Sequence, residues 1–217
     1  MKKILTLAIA TLLAANVNAQ VEGPTLPKDP AIIVEASLLN THLSGFRGDI
    51  GASIGVKYEK NIPQLIDVFY WNAGLNISMK RFKETQLYEE TIGKERVKAI
   101  YAEIPIHFGY RYALDDTFTL FGEVGPYLAF GLGGKTSVPE TILGYDVTGK
   151  VNTFGSNRLL SRFDAGLGIR IGATIMDQWS LSIGYDHGLV NCCGDSDNSL
   201  KPFYRNRCYR LTLGYRF

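Results

Sequence analysis

Residues 163–175 read FDAGLGIRIGATI. The odd positions hold Phe163, Ala165, Leu167, Ile169, Ile171, Ala173 and Ile175. The even positions hold Asp164, Gly166, Gly168, Arg170, Gly172 and Thr174. A strict period of two marks a β-strand with two unlike faces. One face is apolar; the other is glycine, small polar groups and charge. The run is longer than the ~5–6 residues of a typical soluble strand. It reaches the ~9–11 residues that a tilted membrane strand needs.

The alternation recurs on both sides of this stretch. Eight segments carry it, at 31–41, 49–59, 68–80, 99–112, 117–131, 161–175, 178–188 and 208–217. Their apolar faces include Ile32, Val34 and Leu38; Ile50, Ile54 and Val56; Leu75 and Ile77; Ile104, Ile106 and Phe108; Leu120, Val124 and Leu128; Leu181 and Ile183; and Leu211 and Leu213. The opposite faces carry Gly51, Ser53, Gly55, Asn72, Gly74, Asn76, Gly109, Gly125, Ser182, Gly184 and Gly214. A soluble barrel of the lipocalin kind would put the apolar face inside, and a membrane barrel would put it toward lipid. Volume chooses between them. An eight-stranded bore is only just wide enough for its own side chains. The apolar set is too bulky for that space and the glycine-rich set fits it. No apolar-face position is charged, as lipid contact requires. The expected fold is all-β: an eight-stranded antiparallel up-and-down transmembrane β-barrel over residues 31–217.

Charge and length agree. After residue 20 the longest run free of Asp, Glu, Lys and Arg is 68–79. That is too short for a membrane helix, which needs about 20 apolar residues. Residues 1–19, MKKILTLAIATLLAANVNA, show a basic start at Lys2 and Lys3, an apolar core and a small-residue cleavage site at Val17-Asn18-Ala19. This order reads as a secretory signal peptide. Gln20 becomes the first mature residue. Residues 20–30, with Pro24, Pro27 and Pro30, read as an extended periplasmic tether. Removing Lys2 and Lys3 leaves equal numbers of basic and acidic residues. The basic surplus of a nucleic-acid binder is missing.

Gaps between segments set the expected orientation. Lys60–Asp67, Ala113–Asp116 and Met176-Asp177 are short, whereas 81–98, 132–160 and 189–207 are long. Outer-membrane barrels have short periplasmic turns and long surface loops. Both chain ends are then expected in the periplasm. Aromatics cap the stripes as interfacial girdles: Phe69, Trp71, Tyr110, Tyr112, Phe118, Trp179, Tyr215 and Phe217 at one end, and Phe130, Phe163, Tyr185 and Tyr209 at the other.

AEIPIHFGYRY (102–112), LFGEVGPYLAF (120–130) and the closing RLTLGYRF (210–217) resemble the PorT-like outer-membrane β-barrel family over nearly the whole mature chain. The resemblance implies an eight-stranded barrel in the cell outer membrane and no single activity. Phe217 is similar to the terminal aromatic that the barrel-assembly machinery reads on outer-membrane proteins. The partners expected of such a barrel are outer-membrane lipid, that machinery during insertion, and a protein partner at the surface loops.

Parity places Glu35, Glu103, Glu123, Asp164 and Asp186 inside with Lys57, Arg111, Arg170, Arg210 and Arg216. Buried charges must be paired, so the expected arrangement is a salt-bridge network filling a narrow bore. The alternative is an ion-selective pathway. Glu123 and Arg210 are expected to reach each other across the bore. Pro105 and Pro126 lie inside strands and cannot donate a ladder hydrogen bond, so each is expected to mark a bulge. His107 should face the lumen. His42 and Ser44 form an H-x-S that superficially resembles lipid-A deacylases, but a loop is expected there and His42 reads as a loop residue. DSDNS at 195–199 lacks the glycine and distal glutamate of a calcium loop. Cys192, Cys193 and Cys208 are an odd set, with Cys193–Cys208 the expected disulfide and Cys192–Cys208 the alternative. Neither catalysis, a cofactor nor a metal site is expected. Two functions stay open: a plugged interaction barrel presenting loops to a partner or a membrane complex, or a small porin-like passive pore.

Overall fold

The computed structural model describes residues 29–44, 46–62, 68–84, 96–142, 145–155, 159–194 and 204–217. The expected signal peptide, residues 20–28 of the expected tether and residues 195–199 lie outside the described residues. Among the described residues nine strands follow in order: β1 (Ala31–Leu43), β2 (Phe46–Asn61), β3 (Phe69–Glu84), β4 (Arg96–Ala113), β5 (Phe118–Ile142), β6 (Tyr145–Asn152), β7 (Phe163–Ile175), β8 (Trp179–Gly188) and β9 (Asn206–Arg216).

Eight of them close a ring. Each strand pairs antiparallel with the next in sequence, except that β5 pairs with β7 within the ring, and β1 meets β9 from Ile33↔Arg216 to Leu43↔Asn206. Closure leaves no unpaired sheet edge in the ring. The ninth strand, β6, corrects the reading of 132–160 as one long loop. β5 runs on past the ring to Ile142 and turns back as β6, from Lys135↔Asn152 to Ile142↔Tyr145. Tyr145, Val147 and Val151 alternate with Asp146, Thr148, Lys150 and Asn152, a short period of two that the reading of 132–160 as a loop passed over.

Inside and outside follow parity. In β1 buried and exposed residues alternate without a break. Ile54, Phe108, Val124, Ile169, Ile183 and Leu211 are all exposed on the outer face. The aromatics cluster at the two rims: Phe69 on Tyr110, Tyr58 on Trp71, and Trp179, Tyr215 and Phe217 in a row at the end with the short turns. Tyr185 packs on Tyr209, with His42 against Tyr209, at the other end. We refer to these as the turn end and the loop end. At the turn end, β7 and β8 are joined by Met176, Asp177 and Gln178. Met176 and Asp177 have φ values of 51° and 57°, both left-handed, and the Gln178 amide donates to the Ile175 carbonyl at 3.2 Å. Two left-handed central residues give a turn whose twist matches the flanking strands.

The prolines do not shift the register. Ile104↔Leu128, Pro105↔Tyr127 and Phe108↔Val124 stay in step, as do Gly125↔Gly168 and Pro126↔Leu167. Each proline instead interrupts the ladder locally on the side where its missing N–H would have pointed. The irregularity in β4–β5 lies at Ile100/Tyr101, opposite Leu132. His42 is also corrected. It sits on β1, opposite Arg207, with its ring outward and its Nδ1 accepting from the Gly48 amide at 3.3 Å.

Candidate functional site

The bore is filled from the strands inward. Inward glycines make this possible. A Cβ at Gly109 would collide with the Tyr70 ring, and one at Gly168 would press on His107 and Asp186. Long polar side chains therefore extend from the remaining inward positions. The buried charged residues among those described are Glu35, Glu59, Glu103, Glu123, Asp164 and Asp186, with Lys57, Lys80, Arg111, Arg170, Arg210 and Arg216. Acids and bases are equal in number. All ten residues singled out by parity lie here. Glu59 and Lys80 were missed, although the parity that turns Lys57 and Asn76 inward also turns them.

Three layers stack along the axis. Nearest the turn end, Glu59 accepts from Arg111 at 2.6 Å and from Arg216. Arg111 also reaches Asn61 at 3.1 Å, and its guanidinium lies over the Tyr70 ring at 4.0 Å. In the middle, Lys57 bridges Glu35 at 2.9 Å and Glu123 at 3.2 Å. The Tyr70 hydroxyl donates to Glu123 at 3.0 Å, and Arg170 stands 3.7 Å from Glu35. His107 faces the lumen, fully buried, with Nδ1 3.6 Å from Glu123. Toward the loop end, Glu103 holds Lys80 and Arg210, both at 2.6 Å, and accepts from Ser78 at 2.7 Å. Arg210 also binds Asp186 at 2.7 Å, while Asn206 donates to Asp164 at 2.9 Å.

Glu123 and Arg210 thus belong to different layers and do not pair. The partner that reaches Arg210 across the bore is Glu103: β9 and β4 stand diametrically opposite in the ring. Parity gives the direction of a side chain but not its height along a tilted strand, which decides who meets whom.

Beyond the third layer the filling changes character. Phe154 and Leu160, from the connection between β6 and β7, and Cys192, after β8, pack on inward Leu43, Phe82, Val97, Ala99, Tyr101, Tyr127 and Ala129. Phe154 meets Tyr101 edge-on at 5.2 Å. Ser161 N donates to Cys192 O at 2.8 Å between the two loops, and Gly131 N, on β5, donates to Arg162 O at 2.7 Å. This apolar cap was not foreseen, because its occupants come from loops, where period two gives no signal.

At the turn end a small cavity of about 20 Å³ remains between Lys57, Glu59, Tyr70, Arg111, Glu123 and Arg216. That is room for about one ordered water. Among the described residues no group of His, Cys, Asp and Glu is placed to hold a metal ion. Cys192, Cys193 and Cys208 are all free thiols, so the expected Cys193–Cys208 bridge is not formed. Cys208 points into the bore, where Thr41 donates to its sulfur at 3.4 Å, whereas Cys193 sits in the surface connection opposite Leu160. Phe217 lies exposed at the turn-end rim, against Tyr215.

Residues 33–193 match the family model described as outer membrane protein beta-barrel domain. Among solved structures, the chain is similar to OprG from Pseudomonas aeruginosa, at 13% identity and TM-score 0.44, covering 91% of this chain and 99% of that one. It is similar to Neisserial surface protein A, at 13% identity and TM-score 0.43, covering 89% and 100%. The attachment invasion locus protein Ail of Yersinia pestis gives 12% identity and TM-score 0.42, covering 88% and 100%. No curated protein matches the sequence.

Proposed function

From the premise that the chain belongs to the outer membrane protein beta-barrel domain family, we propose that it is a closed interaction barrel rather than a pore. The observation that carries this is the doubly filled bore: layers of ion pairs, with Arg210–Glu103 reaching from one wall to the other, and an apolar cap at the loop end. An ion entering the lumen would have to displace buried pairs, and removing one partner of such a pair costs ~3–5 kcal/mol. In this reading the loop end faces outward, and both termini and the short turns are periplasmic. The β5–β6 hairpin, which rises beyond the ring, is the surface offered to a protein partner. The proposal assigns no catalysis to the chain. Phe217 serves as the signal to the barrel-assembly machinery, and the Glu103-Ile104-Pro105 and Gly125-Pro126-Tyr127 elements support a place in the PorT-like branch of such barrels.

Planar bilayers test the reading. The refolded protein is expected to show negligible conductance at neutral pH and moderate salt. Steady, large single-channel currents would instead favour the pore and make the same charges its selectivity filter. Replacing residues 138–149 by a short turn should leave a folded, heat-modifiable barrel, because the ring and the cap residues are untouched.

A further inference from the structure

We propose that the outer face of β3 to β6 at the loop end binds the phosphate-bearing headgroup of an anionic lipid in the surrounding leaflet. Lys98 stands directly opposite Arg81 on one neighbouring strand and Lys135 on the other, all on the outward face. One row further from the belt, Arg96 is opposite Lys83, and Ser137 separates it from Lys150. Like charges placed directly across a ladder repel each other. Asp49 answers two of them, Lys83 at 3.1 Å and Arg81 at 3.6 Å. Among the described residues, Arg96, Lys98, Lys135 and Lys150 have no carboxylate partner. A phosphate supplies the missing charge through charge-assisted hydrogen bonds.

The shape points to a lipid rather than to a soluble anion. Arg81, Arg96, Lys98, Lys135 and Lys150 line a groove of about 410 Å³ together with Asp49, and its wall includes Met79, the last apolar outward residue of β3. Beside it, in register with Ile100, is Gly133, where an added Cβ would meet no atom within 4 Å. The surface therefore offers cations above and an open apolar notch beneath, at the edge of the lipid-facing belt. A tail-free phosphate would use only the upper half. Basic side chains at a membrane surface attract anionic lipid.

The test uses the full refolded chain in nonionic micelles, read by native mass spectrometry. It is titrated with dioleoyl phosphatidylglycerol, with dioleoyl phosphatidylcholine as the same tails without net charge, and with glycerol 3-phosphate as the headgroup without tails. Wild type is expected to retain the phosphatidylglycerol about ten-fold better than the phosphatidylcholine. Lys98→Gln with Lys135→Gln should remove most of that preference. Gly133→Phe, which fills the notch and leaves every charge in place, should weaken phosphatidylglycerol several-fold. Should the double variant not fold, Lys150→Gln, on the hairpin outside the ring, should still reduce the preference. Equal retention of the two lipids by wild type, or unchanged retention by the folded variants, overturns the proposal. So does full displacement of the lipid by glycerol 3-phosphate, which would make a soluble phosphate compound the occupant.

Discussion

The bore has two fillings of opposite chemistry, and they are attached differently. The ionic layers are made by strands: Glu103 on β4 joins Lys80 on β3 and Arg210 on β9, so one carboxylate ties together three staves of the ring. The cap is made by loops: Phe154, Leu160 and Cys192 hang from connections and lean on inward strand residues. Breaking the first uncouples the barrel wall. Breaking the second releases only a lid. Local opening needs little free energy where few contacts hold a segment, and the full unfolding free energy where the contacts are those of the core.

The largest effect is therefore expected at Glu103. Glu103→Ala strips Lys80 and Arg210 of a shared partner at 2.6 Å and leaves the Ser78 hydroxyl without its acceptor. Removing one side of a buried pair costs ~3–5 kcal/mol. Reversible urea unfolding in micelles or vesicles, followed by the heat-modifiable gel band, measures it. Glu123→Ala should fall in the same range, since Lys57 and the Tyr70 hydroxyl both rely on it. A loss below ~1 kcal/mol for both, the size of an exposed pair, would show that the charges are solvated and that the layers do not brace the wall.

A smaller global effect is expected in the cap. Phe→Ala in a cooperative core costs ~3–5 kcal/mol. For Phe154→Ala the global loss should stay near ~1 kcal/mol, because the lid can open while the ring stays closed. The sharper signal is local: limited proteolysis of the folded variant should cut within 153–160 well before wild type does. If the unfolding midpoint instead shifts by the full core amount, the cap and the ring are one cooperative unit and the contrast between them fails.

The same contrast explains how far the sequence could be read. The eight strands of the ring, their facing and the lipid-facing stripe follow from period two, of which FDAGLGIRIGATI is the plainest case, while β6, outside the ring, was read as loop. The ten inward charges are found by the same parity, and Glu59 and Lys80 would have been by applying it without exception. Pairing was not legible. Whether Arg210 meets Glu123 or Glu103 depends on height along the tilted strands: Glu103 stands opposite Ala129 on β5, whereas Glu123 stands opposite Gly109, nearer the turn end. Nor was the cap legible. Phe154 and Leu160 lie in a stretch with no repeat, and only the closed ring gives them an apolar mouth to fill. The prolines misled for a related reason. A missing N–H predicts a lost bond, and a lost bond does not require an extra residue.

The smallest effect separates the two fillings by thiol chemistry. Cys192 belongs to the cap and Cys208 to the ionic bore, while Cys193 is part-exposed beside them. Burial pushes the Cys192 thiol well above its ordinary range, which leaves little reactive thiolate. In folded wild type an alkylating reagent should label Cys193 first, Cys192 slowly and Cys208 last. Phe154→Ala should accelerate Cys192 and leave Cys208 unchanged, since lifting the lid uncovers one and only opening the ring uncovers the other. Mass spectrometry of the labelled peptides reads each site. Counting after denaturation, without reductant, should give three free thiols. Fewer would mean that a covalent bridge ties the lid to the ring. Cys192 would then be uncovered only when the barrel itself opens.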